Sequence, residues 1–257
     1  MKAAKSLWVR AAVLLGAVAG VLQVAHEAVG VYTYRAVSIQ DGSAFEPDTG
    51  GTAARFAVQL SSQSLEPVTV SFGAADDAAK APGDYQPTRG TLTFNPGQTL
   101  KYIKVTVRGD LLDEATETFL VVLVDSNGAF VADGQASGFI FDNDPAPSVA
   151  VGNAAVTEGD SGTKTLSFKV SLSRASGQIV RVSYATDDRT AHSPSDYRAQ
   201  EGTVTFLPGQ VAKSIVVTIR GDTLDERSER FVVDLLSADK AFISDPQAAG
   251  VIVDDDP

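Results

Sequence analysis

At 257 residues the chain is long enough for one large domain or two ordinary ones, each able to bury its own core. Its 32 Asp and Glu against 21 Lys and Arg give a formal charge of −11, which argues against a nucleic-acid backbone or an anionic membrane surface as partner and makes cations the natural counter-charge. The absence of cysteine excludes a disulfide framework, thiolate zinc sites and a thiol nucleophile.

The first element is a leader. Lys2, Lys5 and Arg10 precede an apolar run over residues 11–25, the charged and hydrophobic layout of a secretory signal spanning 1–28. That run is shorter than the ~20 residues that span a bilayer. An uncleaved anchor, lengthened through Val29 to Val31, is the alternative, and no other membrane insertion is expected. The chain is therefore expected to be exported, to the periplasm, the cell surface or the medium, as in a bacterial surface protein.

Beyond the leader the sequence matches itself when shifted by 112 residues. Glu46 falls on Glu158, Asp84-Tyr85 on Asp196-Tyr197, Arg108-Gly109-Asp110 on Arg220-Gly221-Asp222, and Asp142 on Asp254. A fixed period of this kind means two copies of one domain, here 37–145 and 149–257. Asp144-Pro145-Ala146-Pro147-Ser148 joins them, and its two prolines make an extended, stiff linker.

Within a copy the apolar residues alternate. Phe56, Val58 and Leu60 open the pattern, followed by Val68, Val70 and Phe72, then Leu92 and Phe94, then Ile103, Val105 and Val107, then Phe119, Val121 and Leu123. Period 2 marks strands with one buried face. Turn signals such as Asn95-Pro96-Gly97 and Leu207-Pro208-Gly209 separate them. With an opening strand near Val37 to Ile39 and a closing one near Gly138 to Phe141, about seven strands are expected per copy. The fold class is all-β: two tandem immunoglobulin-like seven-strand antiparallel β-sandwiches. Tyr85 and Tyr197 are expected at the core edge with hydrogen-bonded hydroxyls.

The residues able to carry chemistry are the carboxylates kept by the repeat. Glu46 follows the first strand, Asp84 precedes the strand of Gly90, Asp110, Glu114 and Glu117 lie before Phe119, and Asp142 and Asp144 close the last strand. In a seven-strand sandwich these segments can converge at one end. Two like charges ~4 Å apart repel by about 4 kcal/mol at an effective dielectric near 20, so such a rim calls for a cation. Hard oxygens with no His or Cys nearby select Ca2+ over zinc or copper, and an irregular loop cage suits Ca2+ better than Mg2+.

These residues resemble a known family. The segment Val156-Thr157-Glu158-Gly159-Asp160-Ser161-Gly162, the Asp-Tyr pairs at 84 and 196, Gly-Thr-x-Thr-Phe at 90 and 202, Pro-Gly-Gln at 96 and 208, Asp-x-x-x-Glu-x-x-Glu-x-Phe at 110 and 222, and the closing Asp142-Asn143-Asp144-Pro145 and Asp254-Asp255-Asp256-Pro257 together resemble tandem Calx-beta domains. The resemblance covers nearly everything after residue 36. It implies sandwiches of the Calx-beta type with Ca2+ held at the distal loops. The ligands it implies are Glu46, Asp84, Asp110, Glu114, Glu117, Asp142, Asn143 and Asp144 in the first copy. In the second they are Glu158, Asp196, Asp222, Glu226, Glu229, Asp254, Asp255 and Asp256. Gly109-Asp110 and Gly221-Asp222 stand where the Calx-beta pattern of sodium/calcium exchangers has paired acids, and fewer charges imply fewer ions or weaker binding.

The expected function is a non-catalytic, calcium-binding module outside the cytoplasm, whose partners are calcium ions and a further surface or extracellular protein. The alternative is a metal-independent spacer or adhesion module that meets a protein partner through sheet faces or edges. Paired carboxylates also invite a glycosidase reading, but the strands leave no long insertions to wall a cleft. His192 has Lys80 as its counterpart in the first copy, and no metal or catalytic role is expected of it.

Overall fold

The computed structural model describes residues 34–257, so the expected leader lies outside the described residues. Domain 1 contains β1 (Ala36–Ile39), β2 (Gly42–Phe45), β3 (Gly51–Leu60), β4 (Val68–Asp76), β5 (Arg89–Phe94), β6 (Leu100–Arg108), β7 (Glu117–Asn127), β8 (Phe130–Asp133) and β9 (Gln135–Phe141). They form a four-stranded sheet in the order β6-β3-β1-β8 and a five-stranded sheet in the order β2-β9-β7-β4-β5. Domain 2 repeats the plan with β10 (Ser148–Val151), β11 (Ala154–Thr157), β12 (Gly162–Leu172), β13 (Val180–Asp188), β14 (Glu201–Phe206), β15 (Ala212–Gly221), β16 (Glu229–Asp239), β17 (Phe242–Asp245) and β18 (Gln247–Val253). No helix appears among the described residues, and none is long and apolar enough to cross a membrane.

Each copy thus has nine strands where the alternation marks about seven. The opening strand divides: β1 pairs antiparallel with β3 in one sheet, and β2 pairs with β9 in the other. The crossing is held by a side chain, since the Asp41 carboxylate accepts the N–H of Ser137 at 2.7 Å and the Asn153 carbonyl that of Ala249 at 2.7 Å. The second addition is β8, a short strand with an exposed or half-exposed pattern that shows no apolar alternation. Because β1 and β2 follow the same direction as β8 and β9, these two pairs are parallel within otherwise antiparallel sheets.

The inward residues of the two sheets close one core per domain. In domain 1, Phe56 meets Phe119 edge to face at 5.7 Å and Tyr85 stacks on Phe119 at 4.6 Å. In domain 2, Phe168, Phe231 and Tyr197 repeat this at 5.7 and 4.2 Å. All six rings are buried, and full burial of such a side chain stabilises by roughly 1.5–3 kcal/mol. Gly138 and Gly250 complete the fit, because a Cβ there would sit 2.4 Å from the ring of Phe119 or 2.6 Å from that of Phe231. The tyrosine hydroxyls donate to Asp76 at 2.7 Å and to Asp188 at 2.5 Å, which is the expected core-edge arrangement.

The domains meet at one specific joint. Asp113, in the loop between β6 and β7, bridges to Ser176 in the turn between β12 and β13. Its main-chain oxygen accepts the N–H of Gly177 at 3.0 Å, and its carboxylate accepts the Ser176 hydroxyl and the Gln178 amide, both at 3.1 Å. Asp113 is only 8% exposed as a result.

Candidate metal centres

Four connections carry the acids to one end of domain 1. Glu46 follows β2 and is anchored by its own N–H, which donates to the Phe141 carbonyl at 2.8 Å. Asp84 lies between β4 and β5, where its carbonyl accepts the Arg108 N–H at 2.8 Å and so ties it to the end of β6. Asp110 and Glu114 lie in the β6–β7 connection, Glu117 opens β7, and residues 142–144 follow β9. Domain 2 places Glu158, Asp196, Asp222, Glu226, Glu229 and residues 254–256 by the same devices, with Glu158 N–H on the Val253 carbonyl at 3.1 Å and Arg220 N–H on the Asp196 carbonyl at 2.9 Å.

A glycine admits this convergence. Gly109 and Gly221 immediately precede the rim aspartates, and a Cβ would lie 1.5 Å from the Pro47 carbonyl oxygen or 1.9 Å from that of Gly159. The loop behind each buried glutamate crosses directly over this position. A second acid there, as in the exchanger pattern, has no room.

Backbone N–H groups orient the carboxylates. Asp110 accepts from Leu112 at 2.7 Å and Asp222 from Leu224 at 2.8 Å. Asp142 accepts from Glu114 and Asp144, and Asp254 from Glu226 and Asp256, at 3.1–3.2 Å. Asp84 accepts from Lys80 at 2.5 Å and Asp196 from His192 at 2.7 Å. The bonds from Leu112, Leu224, Asp144 and Asp256 are Asx turns, those from Glu114 and Glu226 tie two loops together, and every one leaves the carboxylate further lone pairs.

The electrostatics record how close the acids are. Glu46 and Glu158 are each 6% exposed. Burial pushes their carboxyls up to about 7, with Asp110, Glu114 and Asp142 adding to the rise for Glu46, and Asp222, Asp254, Glu226 and Asp256 for Glu158. Glu117 and Glu229 are also pushed up to about 7, by burial and then by Asp84 and Asp196 respectively. Glu114, Asp144, Glu226 and Asp256 are raised, again by desolvation first and neighbouring acids second. Desolvation and like charge both disfavour the ionised form, and Arg174 only partly offsets them at Asp144.

Three oxygens are the most telling. Glu117 Oε2, Asp144 Oδ2 and Asp256 Oδ2 are buried and have no hydrogen-bond partner. In domain 2, Glu158, Asp254 and Asp256 each offer an oxygen within 4.8 Å of the others, a spacing that admits a cation between them. An acceptor-only group buried without a donor is costly, and a hard divalent ion satisfies such oxygens.

Two of the expected residues point elsewhere. Asn143 donates its side-chain N–H to Asp48 at 3.0 Å, and Asp255 accepts the Gly159 N–H at 2.8 Å, so both brace the loop behind the buried glutamate. Conversely, Asp48 and Asp160 belong to the clusters, raising Asp144 and Asp256 respectively. The sequence reading does not single them out as ligands, although the 112-residue period relates them to each other. The same period relates Asp113 to Asp225, of which the first serves the joint and not the rim.

Comparison with known proteins shows the family. Residues 36–144 and 142–257 each match the Calx-beta domain family. The chain is 28% identical to sodium/calcium exchanger 1 of Rattus norvegicus over 206 residues, which is 72% of this chain and 21% of the exchanger. It is 25% identical to adhesion G-protein coupled receptor V1 of Danio rerio over 213 residues, 79% of this chain and 3% of the receptor. The chain therefore spans about a fifth or less of these relatives. Among solved structures, the calcium binding domain CBD12 of CALX1.1 aligns with a TM-score of 0.39 and 22% identity, covering 80% of each chain.

Proposed function

The chain belongs to the Calx-beta domain family, and on that premise we propose that it is a non-catalytic calcium-binding module in which ions at the distal loops rigidify two tandem sandwiches. We assign domain 1 to 37–145 and domain 2 to 149–257, on an exported chain whose leader is 1–28, with a surface or extracellular protein as its further partner.

The observation that carries this reading is the set of buried, partnerless carboxylate oxygens on Glu117, Asp144 and Asp256. Glu46, Asp84, Asp110, Glu114, Glu117, Asp142 and Asp144 would hold the ion in domain 1, with Glu158, Asp196, Asp222, Glu226, Glu229, Asp254 and Asp256 in domain 2. Asn143 and Asp255 hold the adjoining loop in place for them. Calcium supplies positive charge to an acid cluster that otherwise stays partly protonated. Because the domain 1 cluster includes residues 142–144, which run into the linker, occupancy there would also fix the direction of domain 2.

The test is thermal unfolding in chelator, in millimolar Ca2+ and in millimolar Mg2+. Calcium at about 100 times its dissociation constant stabilises by about 2.7 kcal/mol per site, and Mg2+ stabilises far less because it demands octahedral geometry. Identical melting in chelator and in calcium would remove the proposal.

A further inference from the structure

The joint between the domains is built from two parts that the repeat supplies twice. The plug is the loop carrying Asp113, and the socket is the turn Ser176-Gly177-Gln178. A shift of 112 residues gives a second plug at Asp225 and a second socket at Ser64-Leu65-Glu66.

The second plug is already formed. Leu224 N–H donates to Asp222 at 2.8 Å and Glu226 N–H to Asp254 at 3.1 Å, matching the bonds that flank Asp113 at 2.7 and 3.1 Å. Asp225 is exposed, and so is Leu224. The second socket has the right backbone as well. Ser64 accepts the Glu66 N–H at 3.2 Å on its hydroxyl and the Gly97 N–H at 2.9 Å on its carbonyl, as Ser176 accepts from Gln178 at 3.0 Å and Gly209 at 2.9 Å.

The side chains of the two sockets differ in the two places that touch the plug. A Cβ at Gly177 would lie 2.3 Å from Glu114 Oε1 and 2.7 Å from Glu114 Cγ. Domain 1 has Leu65 there, 92% exposed and standing out of the turn. Gln178 donates its amide to the Asp113 carboxylate, whereas Glu66 would oppose that carboxylate with a like charge. One socket offers space and a donor; the other offers bulk and an acceptor.

We infer that the Asp225 loop of domain 2 is an interaction surface for a serine-glycine-amide turn on another domain of this type, and that Leu65 and Glu66 close the matching turn of domain 1 so that copies of this chain do not string head to tail. A head-to-tail contact between two different surfaces builds a ring where its rotation closes and an open filament where it does not. Steric and like-charge blocks are the means by which a repeated surface is kept from pairing with the wrong copy. The native joint tolerates a small contact because the linker holds the two parts at a high effective concentration.

The test uses the full chain in chelator, so it does not depend on the calcium reading. Sedimentation equilibrium up to about 1 mM should show wild-type chain as a monomer and L65G/E66Q as a concentration-dependent series of head-to-tail oligomers. Adding D225A to L65G/E66Q should return it to monomer. Both replaced side chains are exposed, and unchanged circular dichroism and melting verify folding. In the reverse exchange, G177L/Q178E should free the two domains to tumble independently by NMR relaxation while each keeps its amide spectrum. The inference is overturned if L65G/E66Q remains monomeric, if its association survives D225A, if wild type itself oligomerises through Asp225, or if G177L/Q178E tumbles as one body.

Discussion

The two domains share a core, a strand plan and a carboxylate rim, yet their distal ends differ. In domain 1 the loop after β6 is capped by a neighbour: Asp113 is buried and Glu114 lies against Gly177. In domain 2 residues 222–228 are all exposed. The deep glutamates, Glu46 and Glu158, are equally buried and equally raised, to about 7. The floor of each cluster is thus set inside its own sandwich, by a glutamate after β2 or β11 and a glycine before the rim aspartate, whereas its outer wall depends on what stands beside it.

The largest expected effect tests the shared part. Phe119→Ala and Phe231→Ala remove equivalent rings and should each cost about 3–5 kcal/mol in chemical unfolding. A gap above about 1.5 kcal/mol between them would mean that the cores are not equivalent.

Next comes the ion. Asp110→Ala should weaken calcium binding in domain 1 at least about tenfold, equal to about 1.4 kcal/mol, and leave domain 2 as it was. Asp222→Ala should do the reverse. Domain-resolved NMR titration reads both, and loss in both domains from a single change would show that the rims are not separate sites.

A smaller effect follows from pH. Glu46, Glu117, Glu158 and Glu229 rise from 4.5 to about 7 in the folded protein. Between those values the folded chain binds more protons than the unfolded one. Their contribution to stability is therefore full below about 4.5 and is lost as pH climbs through about 7. In chelator the melting temperature should fall by a few degrees from pH 5 to pH 8, the change being held down by solvent screening. Calcium should flatten that slope.

The smallest effect concerns one turn. Gly128 has φ 88° after β7, and its counterpart Lys240 holds φ 62°. A side chain in that region costs roughly 1–2 kcal/mol, offset in part by the extra freedom of glycine in the unfolded chain. Lys240→Gly should thus stabilise domain 2 by about 0.5 kcal/mol, and a loss of stability would show that Lys240 makes compensating contacts.

Much of this architecture is legible in the residues themselves. Strands with one buried face announce themselves by alternation, as β3 does from Ala54 to Leu60 with every second residue buried. The turns at Gly97 and Gly209 are spelled by Pro-Gly, and both glycines have φ near 80°. The period places equivalent acids in equivalent loops. What alternation does not reveal is β8, an edge strand with no buried face, and the sheet switch at Asp41, which rests on a hydrogen bond to Ser137. The role of Asp113 is hidden for a different reason. Its local sequence, Leu112-Asp113-Glu114, recurs as Leu224-Asp225-Glu226, and only a turn 63 residues further on makes the first copy a joint.

Whether the acid rims hold calcium is decided by isothermal titration calorimetry of the whole chain with Ca2+, against the Asp110→Ala/Asp222→Ala chain. Wild type should bind with heat and release protons near pH 7 as the raised carboxyls ionise, and the double variant should show neither. A flat wild-type titration at millimolar calcium would mean that the rims are not calcium sites.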